Sequence, residues 1–339
     1  MSMDLLEMTV EEFRGAVADS GAPAYRADQL LDWVYRKGVT DPEKMTNLPA
    51  DLARRFRVLT SRVAGRSDSR DGTVKLLLEL RDGEHVETVL IPADRRATAC
   101  LSTQVGCAMG CTFCASGLDG VRRNLTAGEI LEQILHLQQT AGTMVTNVVF
   151  MGMGEPLANY AATVAALRAV TDPQRFGISA RKVTVSTVGL PRQIRRLGRE
   201  GIPVTLAISL HAPNDALRRQ LVSAAAKTPL EEILSAAEAF YASHKREVTL
   251  EYVLLAGVND TSVCAEALAK VAGRLRCNVN LIRYNPVGSL PYRCPAMAAV
   301  RTFADRLRRR GVNVHVRQSR GADADAACGQ LRRRAAADK

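Results

Sequence analysis

The chain has no apolar run approaching the roughly 20 residues that a membrane helix needs. Its first residues, Met1 to Phe13, are acidic and amphipathic, not basic and then apolar as in a leader. Both absences point to a cytoplasmic protein with no membrane partner. Aromatic residues are scarce, 4 % of the chain with a single tryptophan, which leaves Trp33 and Tyr35 as rings that could stack on bases. On an amphipathic helix such rings more often belong to the core. Paired zinc motifs are missing too. Structural zinc is usually built from two short Cys-x2-Cys or His-x3-His couples far apart, and no second couple occurs here.

Eight cysteines are present among 339 residues. A reducing compartment keeps thiols reduced, so they read as ligands or reactive groups and not as structural disulfides. Three of them, Cys107, Cys111 and Cys114, stand at C-x3-C-x2-C spacing within VGCAMGCTFCAS. Iron-sulfur clusters are normally held by four thiolates, so a compact triad leaves one iron of a 4Fe-4S cluster open to an exogenous chelator. The amino and carboxylate groups of S-adenosylmethionine suit that corner. Two other readings stay open: a zinc site with Cys100 or a histidine as fourth ligand, and buried cysteines with no special role. Cys264, Cys277 and Cys294 have no partner motif and read as ordinary small side chains.

A net charge of +11 favours a polyanionic partner, with nucleic acid as the leading candidate. Part of the excess is clustered, at Arg192, Arg195, Arg196 and Arg199, at Arg306, Arg308, Arg309 and Arg310, and at Arg332, Arg333 and Arg334. Each cluster alone is more often a solvated helix face.

The hydrophobic pattern divides the chain into a helical module over residues 1–60, a β-hairpin linker over 61–95, a large α/β unit over 96–325 and a C-terminal segment over 326–339. Helices are expected at Thr9 to Ala18, Arg26 to Arg36 and Leu48 to Phe56. The hairpin turns at Asp82-Gly83, and Glu87 on its second strand would ordinarily be an exposed carboxylate. From residue 96 onward strand-like and helix-like runs alternate, which implies a parallel sheet. Cys107 to Cys114, GMGEP at 152–156, STVG at 186–189, SLHAPND at 209–215, GVND at 257–260 and Asn285-Pro286 all fall at or just after strand ends. That is the rim on which β/α barrels build active sites. The expected fold is therefore α/β, a partial (β/α)6 barrel with a small N-terminal helical domain. In GMGEP the glycines permit close backbone approach, and Glu155 offers a carboxylate for an ammonium group.

Read in order, YRADQLLDWVY, VETVLIPADRRATACLSTQVGCAMGCTFCASG, FMGMGEPLAN, VTVSTVGL, LAISLHAPND, NLIRYNP and DADAACGQL resemble the RlmN/Cfr family of radical S-adenosylmethionine RNA methyltransferases over nearly the whole chain. The resemblance implies a cluster on Cys107, Cys111 and Cys114. It implies cofactor contacts at Gly154, Glu155, Ser186, Ser209, Leu210, His211 and Asn285, a methyl-carrying Cys328, a resolving Cys100 and a proton-accepting Glu87. It also implies two S-adenosylmethionine molecules per turnover, a transient Cys100-Cys328 disulfide, 23S ribosomal RNA as substrate with transfer RNA as a further candidate, an electron donor such as flavodoxin, and a monomer. Pro156 favours the branch that methylates carbon 2 of adenine, whereas Arg283 to Pro286 is shared with the carbon-8 branch. A non-catalytic RNA-binding or assembly factor is the alternative of another class. The loop Leu221 to Lys227 departs from the family pattern and leaves substrate positioning there open. Without the resemblance, Cys328 would pass for an incidental cysteine of the tail.

Overall fold

Breaks at glycine and proline keep the helices of the first sixty residues short. In the computed structural model, which describes residues 2–288 and 290–332, the two-residue strand β1 (Met3–Asp4) pairs in parallel with β2 (Phe56–Arg57). Between them lie α1 (Val10–Asp19), α2 (Tyr25–Leu31) and the single turn α3 (Ala50–Ala53). Thr9 and Glu12 form a reciprocal capping box that starts α1. The helix expected to reach Arg36 does so by a π-helical turn over Asp32–Arg36. The third expected helix is far shorter than its pattern, because Phe56 is taken up by strand pairing. Tyr35 is buried and accepts a hydrogen bond from Arg175 at 2.8 Å. Trp33 is half-buried, with its Nε1 donating to Asn47 and Lys37 Nζ 3.9 Å from its ring centre.

The residues expected to form a linking hairpin belong to the main sheet. Strands β3 (Arg62–Asp68), β4 (Val74–Glu79), β5 (His85–Ala93) and β6 (Arg96–Cys100) run antiparallel in sequence. A small ribbon, β7 (Gln104–Gly106) with β8 (Val121–Asn124), brackets the cysteine loop. Beyond it β6 pairs in parallel with β9 (Asn147–Phe150), and the parallel run continues through β10 (Val183–Thr187), β11 (Thr205–Ser209), β12 (Val248–Leu254), β13 (Cys277–Arg283) and β14 (Val314–Arg317). The ten strands of this sheet follow the order β14-β13-β12-β11-β10-β9-β6-β5-β4-β3. β14 and β3 stand at its two ends, so the barrel stays open.

Six crossovers join the parallel strands. They contain α4 (Ala127–Ala141), α5 (Tyr160–Thr171), α6 (Pro191–Leu197), the pair α7 (Asp215–Leu221) and α8 (Leu230–His244), α9 (Ser262–Ala272) and α10 (Met297–Arg309). Alternating strand and crossover helix is what a parallel sheet demands, since parallel neighbours cannot be joined by a tight turn. α4 is buried on nearly every face because the N-terminal unit covers the side turned away from the sheet. Glu7 accepts from Gly128 N, and the buried Glu132 accepts from the backbone and hydroxyls of Thr60 and Ser61. His136 adds a contact to Ser61 Oγ at 3.0 Å. Among the described residues no helix is long and apolar enough to cross a membrane.

Candidate active site

The loop carrying the triad leaves β7 and returns to β8. Gly106 starts it at φ +81°, where an added Cβ would meet the carbonyl oxygen of Gly120, so no other residue fits. Opposite it lies the loop that departs from the family pattern. Cys111 and Val222 form an isolated antiparallel bridge. Thr112 N donates to Leu221 O at 3.0 Å, Ala224 N to Met109 O at 3.1 Å, and Ser223 Oγ to Gly110 O at 2.9 Å. The departing segment therefore props the cysteine loop, a task that backbone atoms and one hydroxyl accomplish.

Cys107, Cys111 and Cys114 line one cavity, with about 920 Å³ of empty space counting the part open to solvent. Burial pushes all three thiols up, that of Cys107 to about 12. Such thiols become thiolates when a metal compensates the charge. One observation fits a cluster on this triad: Arg218, 1 % exposed, leaves Nε and Nη1 without a hydrogen-bond partner among the described residues. Its remaining Nη2 donates to Val188 O, and burial lowers the pKa of its guanidinium against the opposing influence of Cys111 and then Asp215. Thiolates and sulfides are acceptors for those free N–H groups.

The cavity wall continues over β9 to β13. Gly154 holds φ +100°, and an added Cβ would lie 2.7 Å from Gln104. Glu155 is buried with both oxygens engaged, Oε1 accepting from Leu157 N at 3.0 Å and Oε2 from Val188 N at 2.8 Å. Burial nonetheless raises its carboxyl to about 7. The carboxylate expected to grip an ammonium thus also ties the GMGEP turn to the end of β10. Ser186 Oγ and Ser209 Oγ lie 3.1 Å apart on adjacent strands, and both face the cavity. His211 sits in the left-handed region at φ 57°, accepts from Val253 N at its Nδ1 and meets Phe113 edge-on. Burial, reinforced by Arg218, lowers its imidazole to about 3, so it is neutral. Leu210 is fully buried in the core and is absent from the cavity wall.

The C-terminal turn closes the mouth. Cys328 is exposed at its tip, lines the triad's cavity, and also lines a neighbouring recess of about 570 Å³ together with Cys100. Asn285 Nδ2 donates to Cys328 O at 3.0 Å, Ala115 N to Gly329 O at 2.8 Å, and Ser116 Oγ to Leu331 O at 2.7 Å. The turn is thus docked on the cysteine loop itself. Cys100 and Cys328 carry free thiols, so the disulfide implied by the resemblance is not formed in this state. Burial drives the Cys100 thiol up to about 12. Glu87 is not exposed as its strand pattern suggested. It is buried, paired with Lys75 at 2.8 Å, and accepts from Arg332 N at 2.9 Å.

The radical SAM superfamily profile matches residues 101–266, and a ribosomal RNA large subunit methyltransferase N-terminal domain matches residues 3–60. The chain is 46 % identical over 335 residues to a dual-specificity RNA methyltransferase RlmN of Rhodopirellula baltica, covering 97 % of this chain and 90 % of that one. It is 46 % identical to its counterpart from Thermosynechococcus vestitus, covering 97 % and 98 %. The chain belongs to the RlmN family. A radical SAM methyltransferase from Sphaerobacter thermophilus, 44 % identical, superposes with a TM-score of 0.94 over 98 % of this chain and all of that one. Membership in the radical SAM superfamily brings a 4Fe-4S cluster and S-adenosylmethionine, which agrees with the donor set and cavity described above.

Several residues near the site carry no signal in the sequence. Arg317, at the end of β14, reaches the floor shared by both cavities and lies 3.5 Å from the buried Glu251, which also accepts from Asn280 at 2.9 Å. Gln318, the next residue, borders the smaller recess. Arg218 and Lys75 are equally silent. Each sits in an ordinary pattern, and only the approach of distant segments gives it a place at the site. The arginine clusters of α6 and α10 are partly engaged in ion pairs, with Arg196 near Glu200, Arg308 on Asp305 and Arg310 on Glu266. Arg333 and Arg334 lie outside the described residues.

Proposed function

We propose that the protein methylates carbon 2 of an adenine in 23S ribosomal RNA, with transfer RNA as a second substrate, using a methyl group carried on Cys328. The observation that supports this most is the shared wall: Cys328 borders the cavity of the three cluster cysteines on one side and the recess of Cys100 on the other. The relatives are named dual-specificity RNA methyltransferases, which favours an RNA substrate.

Carbon 2 of adenine has no lone pair with which to attack a methyl sulfonium, so direct methyl transfer is closed to it. Cys107, Cys111 and Cys114 would hold the cluster and the wall from Gly154 to Asn285 would hold S-adenosylmethionine, and together these groups would supply the chemistry needed to take a hydrogen atom from a methyl group. Cys328 presents the methyl group on an exposed turn, within reach of both the cavity and a base entering from solvent. Once its carbon is bonded to the ring, the resulting radical gives up one electron, for which the oxidised cluster would be the acceptor, and Glu87 accepts the proton of the substituted carbon. Cys100 then attacks the Cys328 sulfur. The sulfur-sulfur bond forms, the carbon-sulfur bond breaks, and its electron pair leaves with the carbon, which is protonated to a methyl group. The disulfide is reduced before the next turnover, and a donor such as flavodoxin would supply the electrons that a bound cluster requires.

Mass spectrometry of RNA digests from a knockout complemented with this gene tests the reading. Restoration of 2-methyladenosine is expected, and 8-methyladenosine in its place would overturn the assignment of carbon 2.

A further inference from the structure

Glu87 and Lys75 hold the two ends of the turn that carries Cys328. Lys75 projects from β4 and Glu87 from the adjacent strand β5, and their side chains are 12 % and 9 % exposed. Lys75 Nζ lies 2.8 Å from Glu87 Oε1 and donates to Asp325 O at 3.1 Å, three residues before Cys328. Glu87 Oε2 accepts from Arg332 N at 2.9 Å, four residues after it. One buried ion pair therefore touches the chain on both sides of the reactive thiol.

We propose that Lys75 is the positioning residue for proton removal: its ammonium holds Glu87 as a carboxylate and ties that carboxylate to the turn bearing Cys328. The inference rests on the role given to Glu87 above. In the step concerned, the addition leaves one unpaired electron on the ring, for which the oxidised cluster would be the acceptor; the carbon-hydrogen bond at the substituted ring carbon breaks, its electron pair restores the purine, and the proton passes to a Glu87 oxygen. A base must be ionised to accept it. Burial works against that by raising the Glu87 carboxyl above its ordinary value, and Lys75 is the strongest opposing influence. The other groups acting on the Glu87 carboxyl are Asp325, which raises it further, and the Arg332 N–H, which lowers it, while the neutral Ser102 and Met153 side chains bond only the Glu87 backbone. The cation paired with the carboxylate is Lys75.

The experiment uses reconstituted holoenzyme and a transcript of 23S ribosomal RNA containing the target adenine, and follows the protein-RNA adduct on denaturing gels. Lys75→Met and Lys75→Gln should hold at least about tenfold more adduct than the unsubstituted protein near neutral pH. Loss of the ammonium raises the Glu87 carboxyl, so the acid limb of adduct resolution should move up by about one to three pH units. Lys75→Arg should resolve the adduct normally. If Lys75→Met does not fold, Lys75→Gln carries the same expectation, since it keeps a donor for the Asp325 carbonyl. A purely structural role would speed hydrogen exchange over residues 325–332 without moving the pH limb. Normal resolution by Lys75→Gln at every pH, or accumulation by Lys75→Arg equal to that of Lys75→Met, would overturn the inference. Glu87→Gln separates the two claims. If it accumulates adduct and Lys75→Gln does not, only the role of Lys75 fails; if it accumulates none, the role of Glu87 fails with it.

Discussion

The cysteine loop and the Cys328 turn present their sulfurs to the same cavity, but they are held in different ways. The loop of Cys107 to Cys114 is fixed largely by backbone contacts with the ribbon β7-β8 and with residues 221–224. The turn of Cys328 is fixed mainly by side chains reaching in from elsewhere: Asn285, Ser116, Lys75, Glu87 and, through Ser69, Asp323. A backbone frame tolerates change in side-chain identity, which is why the departing segment at 221–227 can still support the cluster loop. A turn held by side chains depends on each of them, and it can be released one contact at a time. The first arrangement suits a resident cofactor. The second suits the role proposed for Cys328, whose sulfur would carry a methyl group and then meet the Cys100 thiol.

The largest expected effects set the two regions against each other. Cys328→Ala should abolish RNA methylation while leaving iron content after anaerobic reconstitution unchanged, whereas Cys111→Ala should lose both; iron loss in Cys328→Ala would break the division. Next comes Cys100→Ala, which should stop after the tether has formed and accumulate a protein-RNA crosslink. Absence of that crosslink on denaturing gels would remove Cys100 from the release step. A smaller effect is expected of Arg218→Met, which deletes the two unpartnered nitrogens, Nε and Nη1, of a guanidinium that interacts electrostatically with Cys111. Iron retention measured during dialysis should fall several-fold, and unchanged retention would take Arg218 out of the cluster environment. The smallest effect belongs to Asp323→Ala, which deletes the acceptor of Ser69 Oγ and Arg70 N. Hydrogen exchange over residues 321–332 should quicken, with iron content unaltered. Equal loosening of residues 107–114 would show that the two regions are not independently held.

Legibility in the sequence follows the same division. The triad, the alternating strands and helices and the rim motifs are readable because they depend on local spacing and period. The continuity of β3 to β6 with the parallel sheet is not, since a hairpin looks the same whether it links two bodies or extends one sheet. The N-terminal pair β1-β2 is too short to leave a pattern, and its formation shortens the helix expected over Leu48 to Phe56. Glu87 shows the limit most plainly. Its alternating strand pattern describes an exposed residue, and burial comes from a turn more than two hundred residues away. Cys328 is legible only through resemblance, because nothing near it in the chain reports its approach to the triad's cavity.

The central claim is that Cys328 carries the transferred carbon. It is tested most directly by incubating the reconstituted protein with S-adenosylmethionine labelled in its methyl group, then locating the label by mass spectrometry of the peptide containing residues 321–332. The account predicts a labelled methyl group on the Cys328 sulfur before RNA is added, and its passage to adenine afterwards. Label on RNA with none at any time on Cys328 would contradict it.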